Sequence, residues 1–259
     1  MNAVVGDADI VFITLDTLRY DAADAAFRDG RLPCLAPLLG TAGWQRRHTP
    51  ASFTFPAHQA FFSGFLPTPT SPGPHPRLFA AAFPGSESTN DGTFVFPQAT
   101  LPAGLAAQGY RTICVGGTGF FNGQSELGSV LPSMFDEHHW DESLGVTCPA
   151  SAQNQVRLAI ERVEAADERV FLFINISAMH QPNWFYGGQP EQDTLETHTE
   201  ALCSVDAALP PLFATLRARG ETFCIVCSDH GTTYGEDGYR GHRLAHEAVW
   251  TVPYAEFVL

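Results

Sequence analysis

Phe223-Cys224-Ile225-Val226-Cys227-Ser228-Asp229-His230-Gly231 is an apolar run that ends in a short polar turn. The apolar part has the length and the β-branched content of a buried strand. In open parallel α/β sheets the functional residues lie at the carboxyl ends of the strands, and here a strand end presents Asp229 beside His230. A carboxylate oxygen and a neutral imidazole nitrogen are both good ligands for a divalent metal. The alternative is a solvated turn, in which Gly231 provides the bend.

A second apolar run, near the N-terminus, ends in a similar way. Ile10–Leu15 is followed directly by Asp16. Because the carboxyl ends of parallel strands meet at one edge of a sheet, Asp16 and Asp229 could converge there. Both acids are therefore candidate metal ligands, and a role in a cap or turn is the alternative for Asp16.

The order of apolar and amphipathic segments predicts the fold class. The run 170–176 is typical of a central strand in a parallel sheet. Helical periodicity covers 152–166, and 196–219 is predicted as a long helix that Pro210 and Pro211 interrupt. This strand–helix alternation predicts an α/β fold with a mostly parallel central sheet and helices on both faces.

A third segment, His48–His58, is rich in hydroxyl groups and bounded by prolines. It leads into a helix predicted over 56–64, which Gly64 would end. Thr54 would then lie in a tight turn that opens this helix. Such turns present backbone N–H groups to anions.

Length and charge limit the function. The chain has 259 residues, 44% of them hydrophobic, which predicts one domain over 1–259 with a Pro- and Gly-rich loop at about 66–93. The formal net charge is −14, and such a surface repels nucleic acids and anionic membranes. We therefore expect no nucleic-acid partner and no membrane partner. A small anionic substrate is still expected, because a bound metal reverses the local potential. The oligomeric state is left open.

Cysteine usage and the N-terminus predict a reducing compartment. The N-terminus lacks the features of a signal peptide, and no apolar run approaches the roughly 20 residues that cross a bilayer. The six cysteines are then expected to be free thiols of a cytoplasmic protein. Cys224 and Cys227 have CxxC spacing, but in a strand they point to opposite faces and are predicted core residues.

Several motifs, taken in order, resemble those of the alkaline phosphatase superfamily, on its sulfatase and phosphodiesterase side. The matching segments are Asp16-Thr17-Leu18-Arg19, Thr54-Phe55-Pro56-Ala57-His58, Ser63-Gly64, Gly109-Tyr110-Arg111-Thr112, Phe135-Asp136-Glu137, Ser228-Asp229-His230-Gly231 and Val252-Pro253. They follow the family order over nearly the whole chain, which looks most like a group of small sulfatase-like hydrolases. The resemblance implies an alkaline-phosphatase-like α/β core reduced to a single sulfatase-like catalytic domain.

The resemblance also implies a metal site. Asp16, Thr54, Asp229 and His230 match the family's shared ligands, and His242 matches a histidine that lies near a second metal or the substrate anion. One or two divalent ions are expected, and mixed oxygen and imidazole ligands do not decide among Mn²⁺, Zn²⁺ and Mg²⁺. A metal bound to the Thr54 oxygen would lower its pKa and make it the nucleophile.

The residues around the nucleophile depart from those of sulfatases proper, which convert a cysteine or serine to formylglycine. The spacing is kept, but the residues are Thr54, Pro56 and His58. Threonine cannot become formylglycine because its β-carbon carries a methyl group, and this favours a phosphoester over a sulfate ester. His58 is expected to assist the anion or orient Thr54, or else to face solvent at the helix start. His180 resembles the sulfatase histidine that contacts the anion and is a candidate general acid.

The sequence thus predicts a metal-dependent hydrolase or transferase of small phosphoesters, with a metal-bound Thr54 as nucleophile. Two alternatives stay open. One is a sulfate-ester hydrolase that works without formylglycine, and the other is an inactive family member that binds an anionic ligand.

Overall fold

The computed structural model of the chain describes residues 4–64, 77–79, 93–95, 99–187 and 191–259. The loop predicted at about 66–93 therefore lies almost entirely outside the described residues. Within it, a short strand over Arg77–Phe79 pairs in parallel with Thr93–Val95.

Helices and strands alternate along the described chain. The helices there are α1 (Tyr20–Arg28), α2 (Ala36–Leu39), α3 (Thr54–Ser63), α4 (Leu101–Ala106), α5 (Glu126–Val130), α6 (Ser151–Glu164), α7 (Leu195–Ala208), α8 (Pro210–Arg219) and α9 (Glu247–Trp250). The strands are β1 (Asp9–Leu15), β2 (Gln45–His48), β3 (Arg77–Phe79), β4 (Thr93–Val95), β5 (Arg111–Val115), β6 (Glu137–His139), β7 (Val170–Ile176), β8 (Thr222–Cys227), β9 (Thr233–Tyr234), β10 (Arg240–Gly241) and β11 (Thr251–Val258).

Seven of these strands form the central sheet, in the order β2-β11-β8-β1-β7-β5-β6. The strands from β8 to β6 run parallel to one another. At the other side, β11 pairs antiparallel with β8, and β2 pairs antiparallel with β11. The predicted mostly parallel sheet is confirmed, and β1 lies at its centre, where both of its edges are hydrogen-bonded.

Helices cover both faces of the sheet, as predicted. Strand side chains alternate between the faces, so Val11 and Ile13 of β1 pack under α1, α6, α7 and α8, whereas Ile10 and Phe12 pack on the opposite side. That second side is rich in aromatic rings from α3, β7 and the segments around Phe121 and Phe135. This second face provides apolar surroundings for one side of the candidate site described below.

The cysteines follow the predicted pattern. Cys224 belongs to the core on the first face and Cys227 to the core on the second, and both are buried. All six cysteines are free thiols. Among the described residues, no helix combines the length and the apolar character needed to cross a bilayer.

Element boundaries shift by a few residues from those predicted. Helix α3 begins at Thr54, two residues before the predicted start, so Thr54 is the first helical residue and does not belong to the preceding turn. The long helix predicted over 196–219 is two helices, α7 and α8, because Pro210 starts a new helix at the position where its missing N–H is tolerated.

Candidate metal centre and active site

Two acids meet at the carboxyl edge of the sheet. β1 and β8 are neighbours in parallel register, with Thr14 opposite Cys227, so Asp16 and Asp229 leave their strands at the same level. Both are fully buried, as is His230. One ligand atom from each of these three residues lies within 4.8 Å of the other two. The predicted convergence of the strand ends is what the structure has.

Each carboxylate keeps one oxygen without a partner among the described residues. Asp229 Oδ1 accepts hydrogen bonds from the N–H groups of Thr17 (3.2 Å) and His230 (3.0 Å), whereas Oδ2 has none. Asp16 Oδ2 accepts from Asn175 Nδ2 at 3.1 Å, whereas Oδ1 has none. A buried carboxylate oxygen without a partner is strongly destabilising. Two such oxygens beside a neutral imidazole fit a divalent cation.

The electrostatics of the pair also fit a cation. Burial raises the pKa of Asp229 to about 7. Burial, followed by the nearby charge of Asp229, raises the pKa of Asp16. Two carboxylates this close do not both ionise readily in the absence of a positive charge. A divalent ion between them would reverse that balance and keep both ionised.

His230 presents one defined nitrogen to the site. Its Nδ1 lies 2.9 Å from the carbonyl oxygen of Gly231 and therefore carries the proton. Its Nε2 is then an unprotonated acceptor, and burial lowers the pKa of the ring. This is the state in which imidazole binds a metal.

The hydroxyl of Thr54 lies at the same centre. Its Oγ1 is 3.3 Å from His230 Nε2 and 3.4 Å from Asp16 Oδ2. As the first residue of α3, Thr54 lies at the positive end of a ten-residue helix. The preceding segment is anchored by Thr49, whose hydroxyl donates to the carbonyl of Asp229. The four residues predicted as shared ligands are therefore brought together.

His180 and His242 line the open side of the centre, and we call them the histidine wall. The ring of His242 lies 4.6 Å from that of His230 and 5.5 Å from that of His180, between centroids. Both residues are half-buried, and burial, then the nearby His230, lowers the pKa of His242 to about 3. His242 does not belong to the close group of three ligands, so its role as a metal ligand stays a prediction.

His58 lies beneath the centre, away from solvent. It is fully buried one turn into α3. Its Nδ1 is 2.7 Å from the carbonyl oxygen of Thr54, and its Nε2 is 3.0 Å from Thr14 Oγ1. The open alternative of a histidine facing solvent is therefore wrong. Because both ring nitrogens are engaged by the protein, the geometry favours orientation of Thr54 over contact with an anion.

Asn175 and Thr14 are two further polar residues at the centre that the sequence did not predict. Asn175 lies in β7, where it donates to Asp16 from the neighbouring strand. Both residues were taken as parts of apolar strands. The available signal was that each is the polar residue of its apolar run, one position before the last residue of its strand.

The turn after Asp16 is held in an unusual conformation. Thr17 has φ 62°, a region that is unfavourable for a β-branched residue. This conformation directs its N–H towards Asp229 Oδ1. Arg19, two residues after Thr17, is buried and forms ion pairs with Asp21 and Glu236. Local strain is thus tolerated where it fixes the second acid of the site.

The chain thus combines an α/β fold with a candidate metal centre, and comparison gives the family. The chain belongs to the Sulfatase family, which it matches over residues 8–255. This agrees with the resemblance to the alkaline phosphatase superfamily, which is confirmed. Among curated protein sequences, none matches the chain.

Solved structures share the fold. The soluble domain of lipooligosaccharide phosphoethanolamine transferase A from Neisseria meningitidis is 15% identical, with a TM-score of 0.66 over 98% of this chain and 78% of that one. The periplasmic domain of phosphoethanolamine transferase EptC from Campylobacter jejuni is 14% identical, with a TM-score of 0.63 over 98% and 82%. The lipoteichoic acid synthase LtaP from Listeria monocytogenes is 12% identical, with a TM-score of 0.62 over 97% and 65%. At these identities the likeness establishes the fold.

Proposed function

We propose that the chain is a metal-dependent phosphoester hydrolase or phosphotransferase in which Thr54 is the nucleophile. The observation that carries this proposal is the position of Thr54 Oγ1, within 3.4 Å of both Asp16 and His230. A hydroxyl at a helix start, among three ligand groups, is placed to attack an anionic ester. A merely structural threonine would not need two unpartnered carboxylate oxygens beside it.

A divalent ion held by Asp16, Asp229 and His230 would lower the pKa of the Thr54 hydroxyl and neutralise charge on the transferred group. The chain's own residues do the rest. Thr54 Oγ1 gives its proton to solvent and forms a bond to phosphorus while the bond from phosphorus to the ester oxygen breaks. The leaving oxygen then takes a proton, for which His180 on the histidine wall is the candidate donor. Water or an acceptor alcohol subsequently releases the phosphoryl group from Thr54.

Charge at the centre favours a phosphodiester over a phosphomonoester. The residues of the centre supply two carboxylates, Asp16 and Asp229, and the neutral imidazole of His230. With one divalent ion the site is close to neutral before Thr54 loses its proton, and negative afterwards. A diester carries one negative charge and a monoester up to two, so the diester is repelled less.

The ligand set supports one divalent ion that accepts both oxygen and nitrogen ligands. Two carboxylates, one imidazole and the Thr54 hydroxyl fill four positions, and Mn²⁺, Zn²⁺ and Mg²⁺ all accept such donors. One of the structures that share the fold is a complex with Zn. A second ion would need His180 or His242, and we keep it as the less favoured arrangement.

Hydrolysis and transfer differ only in the acceptor of the second step. Three of the solved structures that share the fold are phosphoethanolamine transferases or a lipoteichoic acid synthase by name, which supports transfer. The substrate we propose is a small anionic ester. The predicted cytoplasmic location rests on the six free thiols and stays a prediction.

The test combines elemental analysis of purified protein with turnover of nitrophenyl phosphate, bis-nitrophenyl phosphate and nitrophenyl sulfate under added Mn²⁺ or Zn²⁺. We expect about one ion per chain and the fastest turnover with the bis-nitrophenyl ester. Faster turnover of nitrophenyl sulfate would favour the sulfate-ester alternative. Absence of both metal and turnover would favour an inactive anion-binding protein.

A further inference from the structure

The side chains beneath Asp16 and Thr54 form a continuous run of hydrogen bonds. It passes through Asn175, Thr14 and His58, none of which is exposed to solvent. The three come from β7, β1 and α3, so the run ties together the elements that carry Asp16 and Thr54. It reaches Asp16 at one end and the backbone of Thr54 at the other.

The donor-to-acceptor order of these hydrogen bonds is set by the backbone N–H of Thr118. Asn175 Oδ1 accepts from the N–H of Thr118 at 3.1 Å, which leaves Nδ2 to face the centre. This amide group has two hydrogens, and its two acceptors are Asp16 Oδ2 at 3.1 Å and Thr14 Oγ1 at 3.3 Å. The orientation of the Asn175 amide is therefore determined.

The proton positions on His58 follow. Thr14 Oγ1 accepts from Asn175, so its own hydrogen is available to His58 Nε2 at 3.0 Å. A nitrogen that accepts is unprotonated, so the ring proton is on Nδ1 and is donated to the carbonyl of Thr54 at 2.7 Å. Each bond in the run thus has one donor and one acceptor.

The surroundings keep His58 neutral. Its ring lies between 5.1 and 5.9 Å, centroid to centroid, from Phe61, Phe62, Phe121 and Phe173. An imidazolium in such an apolar cage would lack solvation, and burial lowers the pKa of His58 to about 3. A neutral ring with both nitrogens engaged is suited to holding a geometry and not to exchanging protons with a substrate.

We propose that Asn175, Thr14 and His58 act together as a positioning chain for the metal centre. Asn175 holds Oδ2 of Asp16, the oxygen that also lies 3.4 Å from Thr54 Oγ1, and His58 holds the carbonyl of Thr54 and thereby the start of α3. The first effect concerns ion binding and is independent of turnover. The second rests on the proposed function, because it concerns attack by Thr54.

The first test locates the ring proton of His58 in the wild-type protein. Nitrogen-15 NMR of histidine-labelled protein reports which ring nitrogen carries the proton, with His58→Asn used to assign the signal. We expect the ring of His58 to carry its proton on Nδ1 and not on Nε2. A ring protonated on Nε2 would overturn the positioning chain.

The second test measures ion binding. Asn175→Leu removes the donor to Asp16, and we expect the affinity of the ion-free protein for Mn²⁺ to fall about 10- to 100-fold. Thr222→Val is the matched control, because Thr222 is a buried threonine at the far end of β8. An Asn175→Leu protein that folds and binds Mn²⁺ as the control does would overturn the role of Asn175.

The third test separates positioning from folding by kinetics. Thr14→Val keeps the shape but removes the hydroxyl, whereas Thr14→Ser keeps the hydroxyl. We expect Thr14→Val to lower kcat about tenfold with KM changed less than twofold, and Thr14→Ser to restore most of kcat. Equal kcat values for the two variants would overturn the link to Thr54. If the wild-type protein turns over no ester, the proposed function fails, and the NMR and Mn²⁺ results still decide the positioning chain.

Discussion

The positioning chain and the histidine wall lie on two sides of the same pair of carboxylates and are built differently. In the positioning chain, His58 and Asn175 are fully buried and every polar atom of the run has a partner. In the histidine wall, both rings are half-buried, and Nδ1 of His242 has no partner among the described residues. The first arrangement holds ligands still, whereas the second leaves a nitrogen of His242 without a hydrogen bond among the described residues.

This difference has a physical basis in the elements that carry the two groups. Thr14 and Asn175 lie within paired strands at the middle of the sheet, where backbone and side chains are both constrained. His180 and His242 lie in loops that follow β7 and β10. Substitutions in the positioning chain should therefore change ion binding and kcat, whereas those in the histidine wall should change substrate turnover at constant ion affinity.

The largest effect is expected for Thr54, whose carbonyl group ends the positioning chain. Thr54→Ala removes the nucleophile, and we expect kcat for bis-nitrophenyl phosphate to fall about 10³-fold or more. Thr54→Ser keeps a hydroxyl at the same place and should retain activity within about 100-fold of wild type. Circular dichroism checks that both variants fold. Full activity of a folded Thr54→Ala protein would remove Thr54 from the mechanism.

Loss of a ligand should come next. Asp229→Asn removes a charge from the centre, and we expect the affinity for Mn²⁺ or Zn²⁺ to fall at least about 100-fold, more than for residues that act through a ligand. Asp206→Asn is the matched control, since Asp206 is also buried but accepts the N–H groups of Cys34 and Leu35 far from the centre. If both variants bound the ion equally well, Asp229 would not be a ligand.

The histidine wall should show a different signature. His180→Gln and His242→Gln are expected to lower kcat/KM about 10²-fold, in the range of a lost general acid, with ion affinity changed less than threefold. Isothermal titration with the ion and steady-state kinetics give the two numbers. A large loss of ion affinity in His242→Gln would instead make His242 a ligand, as the sequence predicts, and would place a metal in contact with the wall.

The smallest effect concerns pH. Since burial raises the pKa of Asp229 to about 7 in the ion-free protein, protons compete with the ion below that pH. Ion affinity should fall about tenfold per pH unit below 7 and level off above it. The stability of the ion-free protein has the opposite pH dependence to ion affinity. The raised pKa contributes stability while Asp229 is protonated, and this contribution is lost as the pH rises through 7. Thermal unfolding with and without Mn²⁺ at pH 5 to 8 measures both trends, and parallel curves would contradict them.

Much of the fold could be predicted because its signals are local. Ile10–Leu15 and 170–176 are apolar over the length of a strand, and the prolines at 210 and 211 mark the break between α7 and α8. Asp16 and Asp229 were recognisable because parallel strands bring their carboxyl ends to one edge. These conclusions need only the hydrophobic periodicity, the length and the end residues of each apolar segment.

The sequence by itself thus determined the α/β class, the acids at the strand ends and the helix beside Thr54, although it placed Thr54 in the turn before that helix. It did not determine the place of His58, which depends on how α3 packs against Phe121 and Phe173, two rings from separate segments of the chain. Nor did it reveal Asn175, whose partners Asp16 and Thr118 are distant in the chain. Only the tertiary structure decides such contacts, because a hydrogen bond depends on the position and direction of two groups that no local pattern relates.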